Sequence, residues 1–239
     1  MKFFPLFLLV FSFSAISAQT TEGIIKYKQT SYFDNENLPA DAPKSMEIGM
    51  RLTFSKTASI YEKDPDVVVV ENPEDNTPRM FRRMRNQGSR TYYKNISEGN
   101  VLEQINFFGK DFLVTDTIAN IKWKVSAGEQ KIIQGYTCMK ATYKDSLNNL
   151  VAFFTPQIPV STGPEKYGKL PGLILEIQSA KMHIIATEIN KSALESPIAI
   201  PSKGDKMSQD AFKKLRDEKM KEQREMWGGQ GQGRRMSRQ

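Results

Sequence analysis

Short runs in which apolar and polar side chains alternate make up most of residues 23–191, and turn-forming residues separate them. In the run 46–56, one face of a strand would carry Ile48, Met50, Leu52 and Phe54. Alternation with a period of two is typical of half-buried β-strands. Because successive strands joined by short turns pair antiparallel, the pattern predicts a mainly β protein built on an antiparallel sheet.

This β domain is predicted to span residues 19–201, since Pro197 and Pro201 interrupt the strand pattern. Late in the domain, the apolar runs predict a short strand over 122–125 and a long one over 132–143. A segment rich in Pro, Asn, Asp and Arg, residues 64–90, predicts a long charged loop. A loop of that length inside a domain is usually functional or disordered.

The N-terminus has the features of a secretory signal peptide. Lys2 precedes an apolar stretch over residues 3–13, and small residues follow up to Ala18. The apolar stretch is shorter than the roughly 20 residues of a membrane-spanning helix. The sequence therefore predicts a signal peptide over residues 1–18. We expect an exported protein, periplasmic or associated with the outer envelope, and soluble after cleavage.

The formal net charge of +7 is unevenly distributed. Residues 79–94 contain six basic side chains and no acidic one, whereas residues 62–75 are rich in Asp and Glu. In an exported protein a basic block is not expected to meet nucleic acid. It could contact an anionic membrane surface peripherally or bind polyanionic glycans, or it could be a solvated loop balanced by the acidic residues beside it.

The C-terminal part changes character after the β domain. Residues 202–227 are highly charged and favour a helix, with Ser208 as N-cap and Gly228 as the residue that stops it. Its apolar stripe is narrow, so the helix is either weakly docked or formed on meeting a partner. The glycine- and glutamine-rich residues 228–239 predict a disordered tail.

Few residues point to catalysis. His183 is the only histidine, which excludes zinc sites built from several histidines, and no nucleophile, phosphate-loop or dinucleotide motif is present. Glu176 lies between apolar neighbours, and we interpret it as a strand residue facing solvent. Cys138, the only cysteine, cannot form an intramolecular disulfide and fits a buried, unreactive thiol. We therefore expect no catalytic site, no metal and no cofactor.

The segment 151–178 resembles the signature of the GLPGLI family, a group of exported bacterial proteins without an established activity. The resemblance runs from about Ile132 to Ile189 and includes the spaced prolines and glycines of the signature. The matching positions are Thr155, Pro156, Pro159, Gly163, Pro164, Leu170, Pro171, Gly172, Leu173 and Ile174. Lys169 stands where the family hexapeptide has its first glycine. Either the backbone there does not need a positive φ, or the lysine tolerates one.

We interpret these family positions as an architectural corner. Pro171 restricts the preceding residue to extended geometry, and Gly172 permits a tight turn or the close passage of another backbone. The continuous apolar run that starts at Leu173 predicts a strand covered on both faces. The strands on either side of this proline-rich elbow are also similar to those of periplasmic lipoprotein carriers. That similarity implies a strongly curved, half-open barrel-like sheet.

The leading hypothesis is a non-enzymatic carrier that holds an apolar or lipid-like ligand in the concave face of the sheet. The residues proposed to line that face are Ile48, Met50, Leu52, Phe54, Phe153 and Leu175. An alternative hypothesis is an interaction or accessory protein of outer-membrane transport machinery. In that case the basic loop and the C-terminal helix would contact an envelope protein.

Overall fold

The computed structural model describes residues 21–33, 43–66, 90–144 and 149–233. The strands are β1 (Gly23–Tyr32), β2 (Ser45–Phe54), β3 (Ala58–Lys63), β4 (Thr91–Asn95), β5 (Asn100–Phe107), β6 (Lys110–Thr117), β7 (Lys124–Ile133), β8 (Tyr136–Lys144), β9 (Asn149–Thr155), β10 (Leu173–Gln178), β11 (Met182–Asn190) and β12 (Asp205–Ser208). One helix, α1 (Gln209–Gly233), follows β12. The predicted mainly β fold with a C-terminal helix is confirmed.

All the strands belong to one unclosed sheet in the order β12-β6-β5-β4-β3-β2-β1-β11-β10-β9-β8-β7. Neighbouring strands pair antiparallel, as predicted, except that β12 runs parallel to β6. The exception arises because the chain leaves β11 at the centre of the sheet and returns at its far edge. Such a long crossover permits parallel pairing.

The period-two pattern of the sequence corresponds to one buried face of the sheet. We call the side that carries Ile25, Tyr27, Leu52, Phe54 and Tyr61 the inner face; all five side chains are buried. Strand β10 is different, because its residues from Leu173 to Ile177 are all buried. The prediction that this run is covered on both faces is confirmed.

The hairpin between β7 and β8 differs from the expected strand boundaries. Gln134 and Gly135 both adopt positive φ, 49° and 80°, in the two-residue loop that joins Ile133 to Tyr136. This is the geometry of a type I′ turn, whose twist matches that of the flanking strands. The predicted strands over 122–125 and 132–143 are therefore wrong. The first continues to Ile133 as β7, and the turn interrupts the second.

The charged C-terminal segment begins with a strand before it becomes a helix. Ser208 ends β12, and its Oγ accepts a hydrogen bond from the Ala211 amide at 3.3 Å, as an N-cap does. The helix extends to Gly233, past the predicted stop at Gly228. Phe212, almost completely buried, docks its first turns on Phe107 and Phe112 of the sheet.

Several predicted segments lie outside the described residues. These are the signal peptide over 1–18, residues 67–89 of the long loop, and residues 234–239 of the tail. In the parts of the chain that are described, no helix combines the length and apolar character needed to cross a membrane.

Candidate functional site

The residues between β9 and β10, 156–172, form an extended segment that lies across the inner face of the sheet; we call it the strap. Three of its backbone hydrogen bonds join residues two apart: Val160 to Ile158, Thr162 to Val160, and Gly172 to Leu170, each at 2.8 Å. Such three-residue turns shorten the strap while leaving its side chains free to alternate in direction. The strap therefore covers the inner face of the sheet with alternate side chains, as a strand would.

Hydrogen bonds anchor the strap to both halves of the curved sheet. On one side, the Thr162 hydroxyl lies 2.8 Å from that of Ser59 in β3. On the other side, the amides of Leu173 and Ile174 at the start of β10 donate to Ile158 and Thr162 at 3.1 and 3.0 Å. Because these anchors belong to strands far apart in the sheet order, the strap bridges the concave side.

Lys94 provides the most unusual anchor. Its side chain is 1% exposed, and its Nζ donates to the carbonyls of Gly163 at 2.5 Å and Tyr167 at 2.9 Å. Burial lowers the pKa of Lys94 to about 7, with the charge of Glu165 opposing the shift. A neutral amine has two N–H donors, and the strap offers two carbonyls to receive them.

Two glycines of the family signature allow the strap to lie close to its neighbours. A Cβ at Gly163 would come within 2.7 Å of the Ile174 side chain. Gly172 has a φ of 148°, and a Cβ there would come within 2.2 Å of the Thr155 carbonyl oxygen. Both positions therefore have a packing role at the corner between the strap and β10.

The other signature residues divide between the core and the surface. The buried ones are Thr155, Pro164, Leu170, Leu173 and Ile174, whereas Pro156, Pro159 and Pro171 are exposed. Lys169 is exposed and adopts a φ of 61°. Of the two explanations that the sequence left open, the lysine therefore tolerates a positive φ.

The six residues predicted to bind an apolar ligand contact the protein's own core. Met50, Leu52, Phe54 and Leu175 are buried in one cluster, and Ile48 and Phe153 pack against its margin. The same cluster contains Ile158, Val160, Tyr167 and Leu170 of the strap. The structure thus differs from the expected open groove, because strap side chains occupy the inner face that a ligand was expected to fill.

Polar groups gather beside the strap on the inner face. Gln29 donates to Glu165 at 3.0 Å and accepts from the Tyr61 hydroxyl at 3.0 Å. Nearby, Arg90 forms an ion pair with Glu103 at 3.4 Å. Burial raises the pKa of the Glu103 and Glu165 carboxyl groups, and the positive charge of Arg90 opposes the shift in each.

Sequence patterns did not reveal this polar group, because its members come from strands far apart in the sequence. Lys94 and Arg90 were grouped with the basic block 79–94, which was expected to face solvent or a membrane. Lys94 is instead buried, and Arg90 is paired with Glu103. The remainder of that block, 79–89, lies outside the described residues.

Glu176 and His183 meet on strands β10 and β11. The Glu176 carboxylate is 1% exposed, lies 2.9 Å from His183 Nε2, accepts a hydrogen bond from Gln178 at 2.6 Å, and pairs with Lys131. The Lys131 ammonium also lies 4.2 Å from the centre of the Phe153 ring. The expectation that Glu176 faces solvent is wrong. The buried Glu176 carboxylate is therefore held by three side chains, from Lys131, Gln178 and His183.

Cys138 is completely buried. Burial raises the pKa of its thiol to about 11. The thiol is therefore protonated at neutral pH and lacks the thiolate that reactivity requires.

The sequence matches one family model over part of its length. Residues 144–176, which include the strap, match a family described as "Protein of unknown function (Porph_ging)". No curated protein matches the chain.

Among solved structures, the chain is similar in fold to PNGF-II. Two structures of that protein, in space groups P21 and C2, both superpose with a TM-score of 0.55, at 13% and 14% sequence identity. The similarity covers 81% of this chain but only 33% and 32% of the PNGF-II chains. This chain therefore spans about a third of PNGF-II, and at this identity the likeness concerns the fold alone.

Proposed function

We propose that this protein is a non-enzymatic interaction protein of the cell envelope, and that α1 contacts its protein partner. A single observation carries the proposal: α1 is long, yet only its first turns touch the sheet. Phe212 and Leu215 pack on β6 and its neighbours, whereas nearly all described side chains from Asp217 to Met226 are exposed.

The exposed part of α1 has the character of a protein-binding helix. At about 1.5 Å per residue, the 25 residues of α1 span roughly 37 Å, most of it beyond the docked turns. Met220 and Met226 are 40% and 64% exposed, and methionine adapts well to partner surfaces. Acidic and basic residues alternate between these methionines. An anionic membrane would favour an excess of basic residues, so the pattern supports a protein partner.

A carrier function is less well supported by the same geometry. An apolar ligand would reach Leu52, Phe54 or Leu175 only by displacing the strap and its anchors. The fold similarity to PNGF-II adds that this architecture can form one part of a much longer chain. That occurrence is compatible with a module that works alongside other domains.

Family membership and location are part of the proposal. We assign the chain to the GLPGLI family as a divergent member, because the family-model match covers the strap and Leu170-Pro171-Gly172-Leu173-Ile174 is intact. We propose that the N-terminal signal segment directs export to the periplasm or the outer envelope.

Site-specific photo-crosslinking in the native host tests the partner hypothesis. A photoreactive residue replaces Met220 or Met226 in α1, with Ile132 in the edge strand β7 as a control. Ile132 is apolar and 75% exposed, so it controls for apolar exposure alone. We expect the two α1 positions to yield the same discrete adduct in the envelope fraction and the control position to yield none.

Native mass spectrometry of the purified full chain, with lipid extraction, provides the opposing measurement. A co-purifying apolar molecule that remains after removal of residues 217–239, together with an absence of α1 adducts, would refute the interaction proposal and restore the carrier hypothesis.

A further inference from the structure

A pocket of about 430 Å³ lies on the side of the sheet opposite the inner face. Its floor is formed by Tyr93, Leu102 and Thr115, which lie side by side on β4, β5 and β6 because they pair in register. Ile200, in the segment that returns from β11 to β12, forms one wall. The volume falls within the range of typical small-ligand pockets, about 300–1,000 Å³.

The floor of the pocket offers an aromatic surface with a polar end. The Tyr93 side chain is 9% exposed, yet none of the hydrogen bonds found within the described residues engages its hydroxyl. Burial raises the pKa of Tyr93, and the charge of Glu98 raises it further. The hydroxyl thus remains a protonated donor beside a carboxylate acceptor.

The rim of the pocket combines hydrogen-bond donors and acceptors. Asn95 accepts the Glu98 amide at 3.1 Å through its side-chain oxygen, which leaves its NH₂ group available. Glu98 accepts the Asn100 amide group at 3.2 Å through one carboxylate oxygen, which leaves the other. These side chains are held by the β4–β5 hairpin, so they are oriented before any ligand arrives.

This combination selects a class of ligand. Paired amide and carboxylate groups around an apolar floor match molecules that carry many hydroxyl groups on an apolar ring face. Among the described residues that line the pocket none is basic, which disfavours phosphates and other anions. In the described parts of the chain, no group of three or more His, Cys, Asp or Glu could hold a metal ion, which argues against a cation site.

We propose that this pocket binds a neutral carbohydrate of one or two sugar rings, with Tyr93 and Leu102 beneath the ring and Glu98 and Asn95 on its hydroxyls. The site does not depend on the function proposed for α1, because it uses the opposite side of the sheet.

NMR titration of the full chain with maltose, lactose and N-acetylglucosamine tests this site. We expect at least one of these sugars to shift backbone signals in residues 93–102 and 115–116. Tyr93→Phe keeps the ring and removes the hydroxyl, and Glu98→Gln keeps the shape and removes the charge. Each variant should weaken binding by about tenfold or more, as the loss of one buried polar contact does. Glu129→Gln, an exposed carboxylate on β7, is the matched control and should bind as the wild type does.

Three outcomes would overturn the proposal. They are an absence of shifts with all three sugars, shifts confined to other residues, and binding that neither pocket variant weakens. Spermidine serves as a cationic probe in the same titration. If spermidine binds in this pocket and the sugars do not, the Glu98 carboxylate attracts cations and the carbohydrate assignment is wrong.

Discussion

Lys169 holds a backbone conformation that usually requires glycine. Its φ of 61° places it in the left-handed region, where a side chain costs about 1–2 kcal/mol. Glycine at this position, as in the family hexapeptide, would relieve that cost. Lys169 is exposed, so the substitution would remove little packing.

Lys169→Gly should therefore stabilise the protein, by about 0.5–1 kcal/mol once the greater flexibility of glycine in the unfolded chain is counted. The measurement is the free energy of unfolding in urea. Lys166→Gly is the control, because Lys166 is an exposed strap lysine without a positive φ, and it should destabilise by a similar amount. Equal effects of the two substitutions would show that the φ of Lys169 is not a source of strain.

Single residues also show where sequence patterns stop being informative. Alternation correctly placed Leu52 and Phe54 on a common buried face, since a strand fixes that geometry locally. Ile158 and Leu170 of the strap, which belong to the same buried cluster, are more than a hundred positions away. Lys94 shows the same limit, because only the folded chain brings it beneath Gly163 and Tyr167. Local patterns therefore predicted the sheet, whereas the filling of its inner face depends on long-range contacts.

At the scale of elements, α1 is the part least connected to the rest of the fold. It packs through a small cluster of Phe212 with Ile105, Phe112 and Val114, separate from the main core. A charged helix gains most of its stability from such docking rather than from its own propensity. Its attachment should therefore depend on one side chain.

Phe212→Ala should release α1 from the sheet while the main core stays folded, because a buried phenylalanine typically contributes about 3–5 kcal/mol. Limited trypsin digestion measures this, because cleavage after Lys213, Lys214 or Arg216 requires the helix around them to unfold, and an undocked charged helix unfolds more readily. Met220→Ala, at an exposed position on the same helix, should leave the digestion rate unchanged. A Phe212→Ala variant that resists trypsin as the wild type does would show that other contacts hold α1.

At the scale of the whole molecule, the strap closes one side of a curved, unclosed sheet, and Lys94 lies beneath it. In the unfolded chain Lys94 has an ordinary pKa of 10.5, whereas in the folded protein the value is about 7. Between these two pH values the unfolded chain binds a proton that the folded protein has released. Stability should therefore rise with pH across this window, by at most about 1.4 kcal/mol per pH unit. Below pH 7 both states hold the proton, and the cost of the buried charge is present in full.

Lys94→Met keeps the length of the side chain and removes the titrating group. The free energy of unfolding, measured for both proteins from about pH 7 to pH 9.5, should rise with pH in the wild type relative to the variant. Higher pH is avoided because burial raises the pKa of Tyr61, so unfolded tyrosines begin to lose protons that the folded protein keeps. Parallel pH profiles would mean that Lys94 titrates normally in the folded protein. Such a result would require that water reaches the amine, and hence that the strap opens over the centre of the sheet.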